Sequence, residues 1–232
     1  MKLSIIIPVY NEEQTVGQVI SKISKLELGK ITKEIIVVDD ASTDKSKSII
    51  NEQKKLNPNT LKVYISIINL GKGAAVRFGL KYATGDIIII QDADLELNPA
   101  EYPKLISPII ENQADVVYGS RFKGFKNENI PLRTILANKF LVILTNILFK
   151  GHLTDMETAY KVFKSSIIKD VNLRCVEFDF EAEVTAKILK GGYKIVEIPI
   201  EYKPRTPKEG KKMTWRHGIE AIYTLFKYRF FD

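Results

Sequence analysis

The stretch "IIIIQDADLELNPAEYPKL", residues 87–105, decides how the chain is to be read. Four isoleucines run into Asp92, Asp94 and Glu96, and Asn98-Pro99 then opens a helical segment. An unbroken run of β-branched residues marks a strand buried on both faces. Such a strand has no need of three carboxylates at its end. Carboxylates that close raise one another's pKa unless something positive sits among them. Two readings follow: a solvated loop, or half of a divalent-cation site. Alternate residues of an extended segment share a face, so Asp92 and Asp94 point to one side and Glu96 keeps the parity. Oxygen-only ligands suit Mg²⁺ or Mn²⁺, and Mg²⁺ commonly joins one or two carboxylates to substrate phosphates. Zinc is a poor fit, because His152 and His217 lie far apart and Cys175 is the only cysteine.

Outward from this stretch the first half of the chain alternates. Apolar strands are predicted at 2–9, 34–39, 61–67, 86–90 and 115–120. Amphipathic helices are predicted at 12–26, 43–56, 71–83 and from Pro99 to about Glu111. The pattern predicts an α/β domain with a mostly parallel central sheet and helices on both faces. Open sheets of this kind bind ligands at the carboxyl ends of their strands. There the sequence places Tyr10, Asn11 and Glu12, then Asp39 and Asp40, then the acid cluster, then Ser120 and Arg121.

The second half changes character. Residues 130–150 read as a helix, broken at most once, with Lys139, Asn146 and Lys150 on one face and Leu136, Phe140, Ile143 and Ile147 on another. It suits either a core or a membrane interface. A strand is predicted at 158–163, a helix at 179–192, an edge-like strand at 193–202, a basic loop at 203–212 and a basic aromatic helix at 215–231.

The composition is that of an ordinary globular protein: 232 residues, 45% hydrophobic and 27% charged. A net charge of +7 favours anionic partners. A nucleic-acid partner is disfavoured, since acids occupy the candidate binding edge and no aromatic-basic RNA motif is present. A single cysteine points to a reducing compartment. The N-terminus lacks the pattern of a signal peptide. The run at 140–149 is about half of a bilayer span, so no spanning segment is expected. No G-x-G-x-x-G follows the first strand, which argues against a dinucleotide-dependent dehydrogenase. "GKG" at 71–73 opens a helix where Lys72 could meet phosphate, although the full phosphate-loop spacing is missing.

Taken in order, "IIIPVYNEE", "VVDDASTD", "NLGKGAAVRFG" and "QDADLE" resemble the family 2 glycosyltransferases of GT-A fold. "GSR", "LTDMETAYKVF" and "PRTPKEGKKMTW" further resemble the polyprenyl-phosphate sugar synthase branch, typified by dolichyl-phosphate mannose synthase. The resemblance covers the whole chain and implies one catalytic domain, with 1–120 binding the nucleotide sugar and 121–232 facing acceptor and membrane. It implies that Pro8, Tyr10, Glu12, Asp39, Asp40, Lys72, Asp92, Ala93 and Asp94 hold the nucleotide. It implies that Asp92, Asp94 and Glu96 hold Mg²⁺ or Mn²⁺, although relatives often carry Gln at the last position. Arg121, Arg133 and Arg205 would meet the acceptor phosphate and donor diphosphate, and Asp155 would line the sugar pocket. The implied reaction is inverting transfer of a hexose from a nucleotide diphospho-sugar to a polyprenyl phosphate. GDP-mannose is the favoured donor, with UDP-glucose, a polysaccharide acceptor or a catalytically inactive nucleotide-binding module as alternatives. The implied location is cytoplasmic, peripheral to an anionic membrane surface, and protein partners are unspecified.

Overall fold

The structure, a computed structural model, describes residues 1–124, 130–205 and 215–231. Seven strands form one sheet: β1 (Lys2–Val9), β2 (Thr32–Asp39), β3 (Leu61–Ile65), β4 (Ile87–Ile90), β5 (Val116–Ser120), β6 (Lys161–Lys164) and β7 (Ile195–Pro199), in the order β3-β2-β1-β4-β6-β5-β7. All neighbouring pairs are parallel except those of β6, which runs antiparallel to both β4 and β5. The strand order reverses between β1 and β4, where a doubly wound sheet opens its ligand crevice.

The four isoleucines of β4 show why the run is unbroken. Ile87 and Ile89 join a core beneath α1 (Val16–Lys25), α2 (Ser46–Leu56) and α4 (Tyr102–Ile110). Ile88 and Ile90 join the opposite core, beneath α3 (Lys72–Tyr82), α6 (Ser165–Asp170) and α7 (Phe180–Lys190). With period-2 alternation, a strand covered on both faces must be apolar at every position. Each such side chain contributes about 1.5–3 kcal/mol when fully buried. At the sheet edge remote from the crevice, buried Glu34 accepts from the Ser4 hydroxyl, the Thr84 N–H and the ammonium groups of Lys2 and Lys62, at 2.6–2.9 Å. One carboxylate thus ties together β1, β2, β3 and the entry to β4.

A third core joins α5 (Leu132–Phe149), α7 and α8 (Trp215–Phe230). The predicted helix at 130–150 is a single unbroken helix. It is 18 residues long with a mean hydropathy of 1.5, so by length and composition it could cross a membrane. Length and composition are all that mark it so, and its one buried face packs in the third core. The helix continues back from Phe140 through Leu132, beyond the apolar run that the sequence marks out. Other boundaries shrink for local reasons. Asp44 accepts the Ser46 N–H, so α2 begins at Ser46 and not at Thr43. The segment after Asn98 is a 3-10 turn, Pro99–Glu101, before α4 begins. β6 starts at Lys161, three residues later than predicted. β7 lies at the sheet edge, as its alternation predicts.

Candidate active site

The chain leaves β1 and β2 through left-handed residues, Asn11 (φ 49°) and Ala41 (φ 61°). Non-glycine residues reach this region at a cost of order 1–3 kcal/mol, and it recurs at functional sites. The turn after β1 presents Glu12, whose N–H is held by Ser46 Oγ at 2.8 Å. Half-buried Pro8 pairs with Val38 in the strand register, and Tyr10 is exposed at the strand end. After β2, Asp40 accepts the N–H groups of Leu70 (2.9 Å) and Gly71 (2.7 Å), fixing the loop that opens α3. Gly71 holds φ 97°, and a Cβ there would lie 2.5 Å from the Val176 carbonyl, so this position requires glycine. Asp39 is fully buried, with Oδ2 accepting from Ser42 N–H at 3.3 Å and Oδ1 unpartnered. Both Asp40 oxygens are thus taken up by the loop, while Asp39 keeps one oxygen without a protein partner.

The acid loop after β4 meets two protein cations. Lys72 lies 2.8 Å from Asp92 Oδ1 and 2.7 Å from Glu181 Oε1 on α7. Burial opposes the ammonium charge, but Asp92 and Glu181 outweigh it and raise the Lys72 pKa. Arg205 reaches Asp94 Oδ2 at 2.8 Å through Nη2 and Glu12 Oε2 at 2.9 Å through Nη1. Glu96 accepts the Tyr202 hydroxyl (3.0 Å) and the Arg205 backbone N–H (2.7 Å), so it anchors the segment that delivers Arg205. Burial, with Asp92 and Glu96 close by, pushes the Asp94 carboxyl up to about 7, against the opposing pull of Arg205. Ala93 is buried between the two aspartates.

These residues suit a hard divalent cation. The donors are all carboxylate oxygens, and their repulsion exceeds what Arg205 cancels. Among the described residues no three of His, Cys, Asp and Glu converge into a ready cage. The fit is to a cation that takes one or two carboxylates, Asp92 and Asp94, and completes its shell on a ligand phosphate.

Opposite the acid loop, Arg121 follows β5. Its Nε donates to Asp155 Oδ2 (2.7 Å) and its Nη2 to Oδ1 (2.8 Å). Burial works against the guanidinium, but Asp155 outweighs it and raises the Arg121 pKa further. Arg121 also lies over the Tyr202 ring, 5.1 Å from its centroid. Asp155 is fully buried and engaged on both oxygens, so it holds Arg121. Arg133 is exposed in the first turn of α5. Lys208, Lys211 and Lys212 of the basic loop lie outside the described residues.

The sequence reading missed Glu181, Glu197, Glu157 and Lys161. Glu197 on β7 accepts the N–H groups of Thr154 (2.8 Å) and Asp155 (3.0 Å). Lys161, fully buried, donates to the carbonyls of Met156 (2.9 Å) and Thr158. A glutamate inside the apolar edge strand "IVEIP" was the one visible signal.

Residues 4–171 match the profile of Glycosyl transferase family 2. The chain belongs to that family. It is 32% identical over 234 residues to a dolichol-phosphate mannosyltransferase of Pyrococcus furiosus, covering 98% of this chain and 64% of that protein. It is 27% identical to a dodecaprenyl-phosphate galacturonate synthase of Rhizobium johnstonii, covering 99% of this chain and 68% of that protein. The chain thus spans about two thirds of the length of these curated relatives. Among solved structures, glucosyl-3-phosphoglycerate synthase of Mycobacterium tuberculosis superimposes with a TM-score of 0.76 at 20% identity, covering 100% of this chain and 82% of that one. A complex of that enzyme with Mn²⁺, UDP and glucosyl-3-phosphoglycerate gives 0.73 at 20% identity, covering 98% and 79%. At such identity the likeness establishes the fold, which is of GT-A type as the family resemblance implies.

Proposed function

We propose that this chain transfers a hexosyl group from a nucleoside diphosphate sugar to a polyprenyl phosphate at an anionic membrane surface. The observation that carries the reading is the set Asp92, Asp94, Lys72 and Arg205 at the crevice of a family 2 fold. Paired carboxylates and paired cations there can receive a metal–diphosphate. The names of the two curated relatives, both acting on polyprenyl phosphates, support the acceptor class. GDP-mannose is the favoured donor, on the strength of the mannosyltransferase relative.

In this reading Asp39 accepts from the nucleoside through its unpartnered Oδ1, with Pro8 and Tyr10 beside it. Asp92 and Asp94 hold Mg²⁺ or Mn²⁺, which supplies Lewis-acid neutralisation of the charge that develops on the leaving diphosphate. Arg205 exchanges its carboxylate partners for phosphate oxygens, which its planar fork grips in pairs. The acceptor phosphate monoester has a second pKa near 6 and is largely ionised at neutral pH. It attacks the anomeric carbon directly, forming the new C–O bond as the bond to the diphosphate breaks, with inversion. No strong general base is required. Arg121 and Arg133 supply positive charge on the acceptor side.

The membrane component rests on α5 and α8. Both bury one apolar face in the third core, yet Leu132, Leu136, Phe140, Ile143 and Ile147 of α5 remain exposed. So do Ile219, Tyr223, Phe226 and Phe230 of α8. Arg133, Lys139 and Arg229 stand exposed on the same helices. An apolar stripe flanked by cations suits a bilayer interface with anionic headgroups. The proposed location is the cytoplasmic face of a membrane. The test is incubation with a panel of labelled nucleotide sugars, Mn²⁺ or Mg²⁺ and polyprenyl phosphates. Label that enters the lipid extract with one donor supports the reading, and failure of every donor overturns it.

A further inference from the structure

The loop 154–158 is clamped from both sides. Glu197 takes its N–H groups at Thr154 and Asp155, and also the Thr154 hydroxyl at 2.8 Å. Lys161 takes its carbonyls at Met156 and Thr158. The Asp155 carboxylate is engaged by Arg121 on both oxygens. One charged group in this loop is left over. Glu157 is half-buried, and its Oε1 is sealed from solvent with no hydrogen-bond partner. The adjacent Thr158 hydroxyl, fully buried, is likewise unpartnered. A buried carboxylate oxygen without a donor is costly, and a rigidly held loop cannot relax to relieve it. Such groups persist in native proteins where a ligand or a bound water supplies the missing partner.

The surroundings select the ligand's chemistry. The fields of Glu181 and Asp155 disfavour the Glu157 charge, and those of Lys161 and Arg121 favour it. Glu181 in turn holds Lys72, which holds Asp92, so Glu157 belongs to the same charged layer as the acid loop. Burial, followed by Glu181, pushes the Glu157 carboxyl up to about 7. An unpartnered carboxylate oxygen takes a hydrogen-bond donor, and an ionised phosphate only accepts, so phosphate is not the ligand at Glu157. A neutral ligand rich in hydroxyl donors is favoured.

We propose that Glu157, and not Asp155, reads the transferred sugar by accepting hydrogen bonds from its hydroxyls; the inference rests on the nucleotide-sugar reading above. It makes Glu157 a specificity-determining residue that contributes to sugar binding and not to nucleotide binding. It also implies that the unliganded fold is stabler without this charge.

The test is calorimetric titration of the full chain, in Mn²⁺, with UDP, GDP and their hexose conjugates, alongside thermal unfolding. In Glu157→Gln the nucleoside diphosphate should bind within about twofold of wild type, while the matching nucleotide sugar weakens by roughly tenfold or more. The unliganded Tm should stay level or rise. Glu157→Asp, which keeps the charge but shortens its reach, should weaken the same sugar conjugate selectively. Nucleotide-sugar affinity unchanged in both variants overturns the inference and leaves a trapped water as the partner. So does a lowered Tm with both ligands weakened equally, since that is a structural role. Wild-type protein that binds none of the sugar conjugates overturns the nucleotide-sugar reading itself.

Discussion

Arg205 is one residue with two sets of partners. In the unliganded chain it neutralises Asp94 and Glu12; in the proposed reaction the same guanidinium grips phosphate. On the proposed reading a divalent cation and Arg205 would compete for Asp94. Arg205→Ala should bind Mn²⁺ more tightly than wild type when nucleotide is absent, as read by electron paramagnetic resonance of free Mn²⁺, yet lose transfer. Arg205→Lys keeps the charge without the fork and should lose roughly 10²-fold in turnover. Unchanged Mn²⁺ affinity in the alanine variant would remove the competition from the account. Far from the crevice, Glu34 makes a separate prediction. Burial disfavours its charge, but Lys62, Ser4, Thr84 and Lys2 together outweigh burial and hold its carboxyl well below the ordinary range. A carboxyl lowered in the folded state contributes stability above the unfolded pKa and loses it as pH falls towards the folded one. Glu34→Gln should cost roughly 3 kcal/mol at neutral pH. That deficit should narrow below about pH 4 in urea titrations; a deficit independent of pH would contradict the assignment. Asp92 and Asp94 were legible in the sequence because charge at the end of an apolar strand is out of place. Glu181 was not, because its partner Lys72 is 109 residues away and only the fold brings them together.

Helices α5 and α8 are apolar on two sides, and that doubles the difficulty of reading them. The sequence separates Leu136, Phe140, Ile143 and Ile147 from the polar positions, but a core and a membrane interface produce the same stripe. The structure divides the work: Leu141, Val142 and Phe149 enter the third core with Ala221, Leu225 and Tyr228, while the stripe remains outside. Asn146, read as part of a polar face, instead clamps Leu153, donating to its carbonyl and accepting its N–H, each at 2.9 Å. Each exposed apolar side chain that enters a bilayer adds about 1.5–3 kcal/mol of binding at most. Ile143→Glu and Phe226→Glu should each reduce sedimentation with anionic vesicles severalfold, with no loss of Tm, because neither side chain is in the core. Added salt should weaken binding of the wild type, since screening shortens the reach of the flanking cations. Wild-type protein left in the supernatant at low salt would assign these stripes to some other contact.

At the scale of the molecule, the strand–helix alternation of residues 2–120 made the parallel half of the sheet readable, because the buried strands β1, β2 and β4 each carry a run of at least four consecutive apolar residues. The antiparallel insertion of β6 between β4 and β5 was not readable. A strand of four residues carries no signal of direction, and its fully buried Lys161 disguises it as surface. The same insertion brings the loop before β6 against Arg121 and completes the site. The acid loop, the cations that hold it and the apolar helices thus occupy one α/β scaffold, and the central claim is that they act together in sugar transfer to a lipid phosphate. The most direct measurement is metal-dependent transfer of labelled hexose from a nucleotide sugar into polyprenyl-phosphate extract, for wild type and Asp94→Asn in parallel. The account predicts label in the lipid phase for wild type, its abolition by excess EDTA and its recovery with Mn²⁺ or Mg²⁺. It predicts a loss of at least roughly 10²-fold in Asp94→Asn, the usual scale for removing one electrostatic stabiliser. Full transfer in excess EDTA, or wild-type transfer by Asp94→Asn, would contradict it.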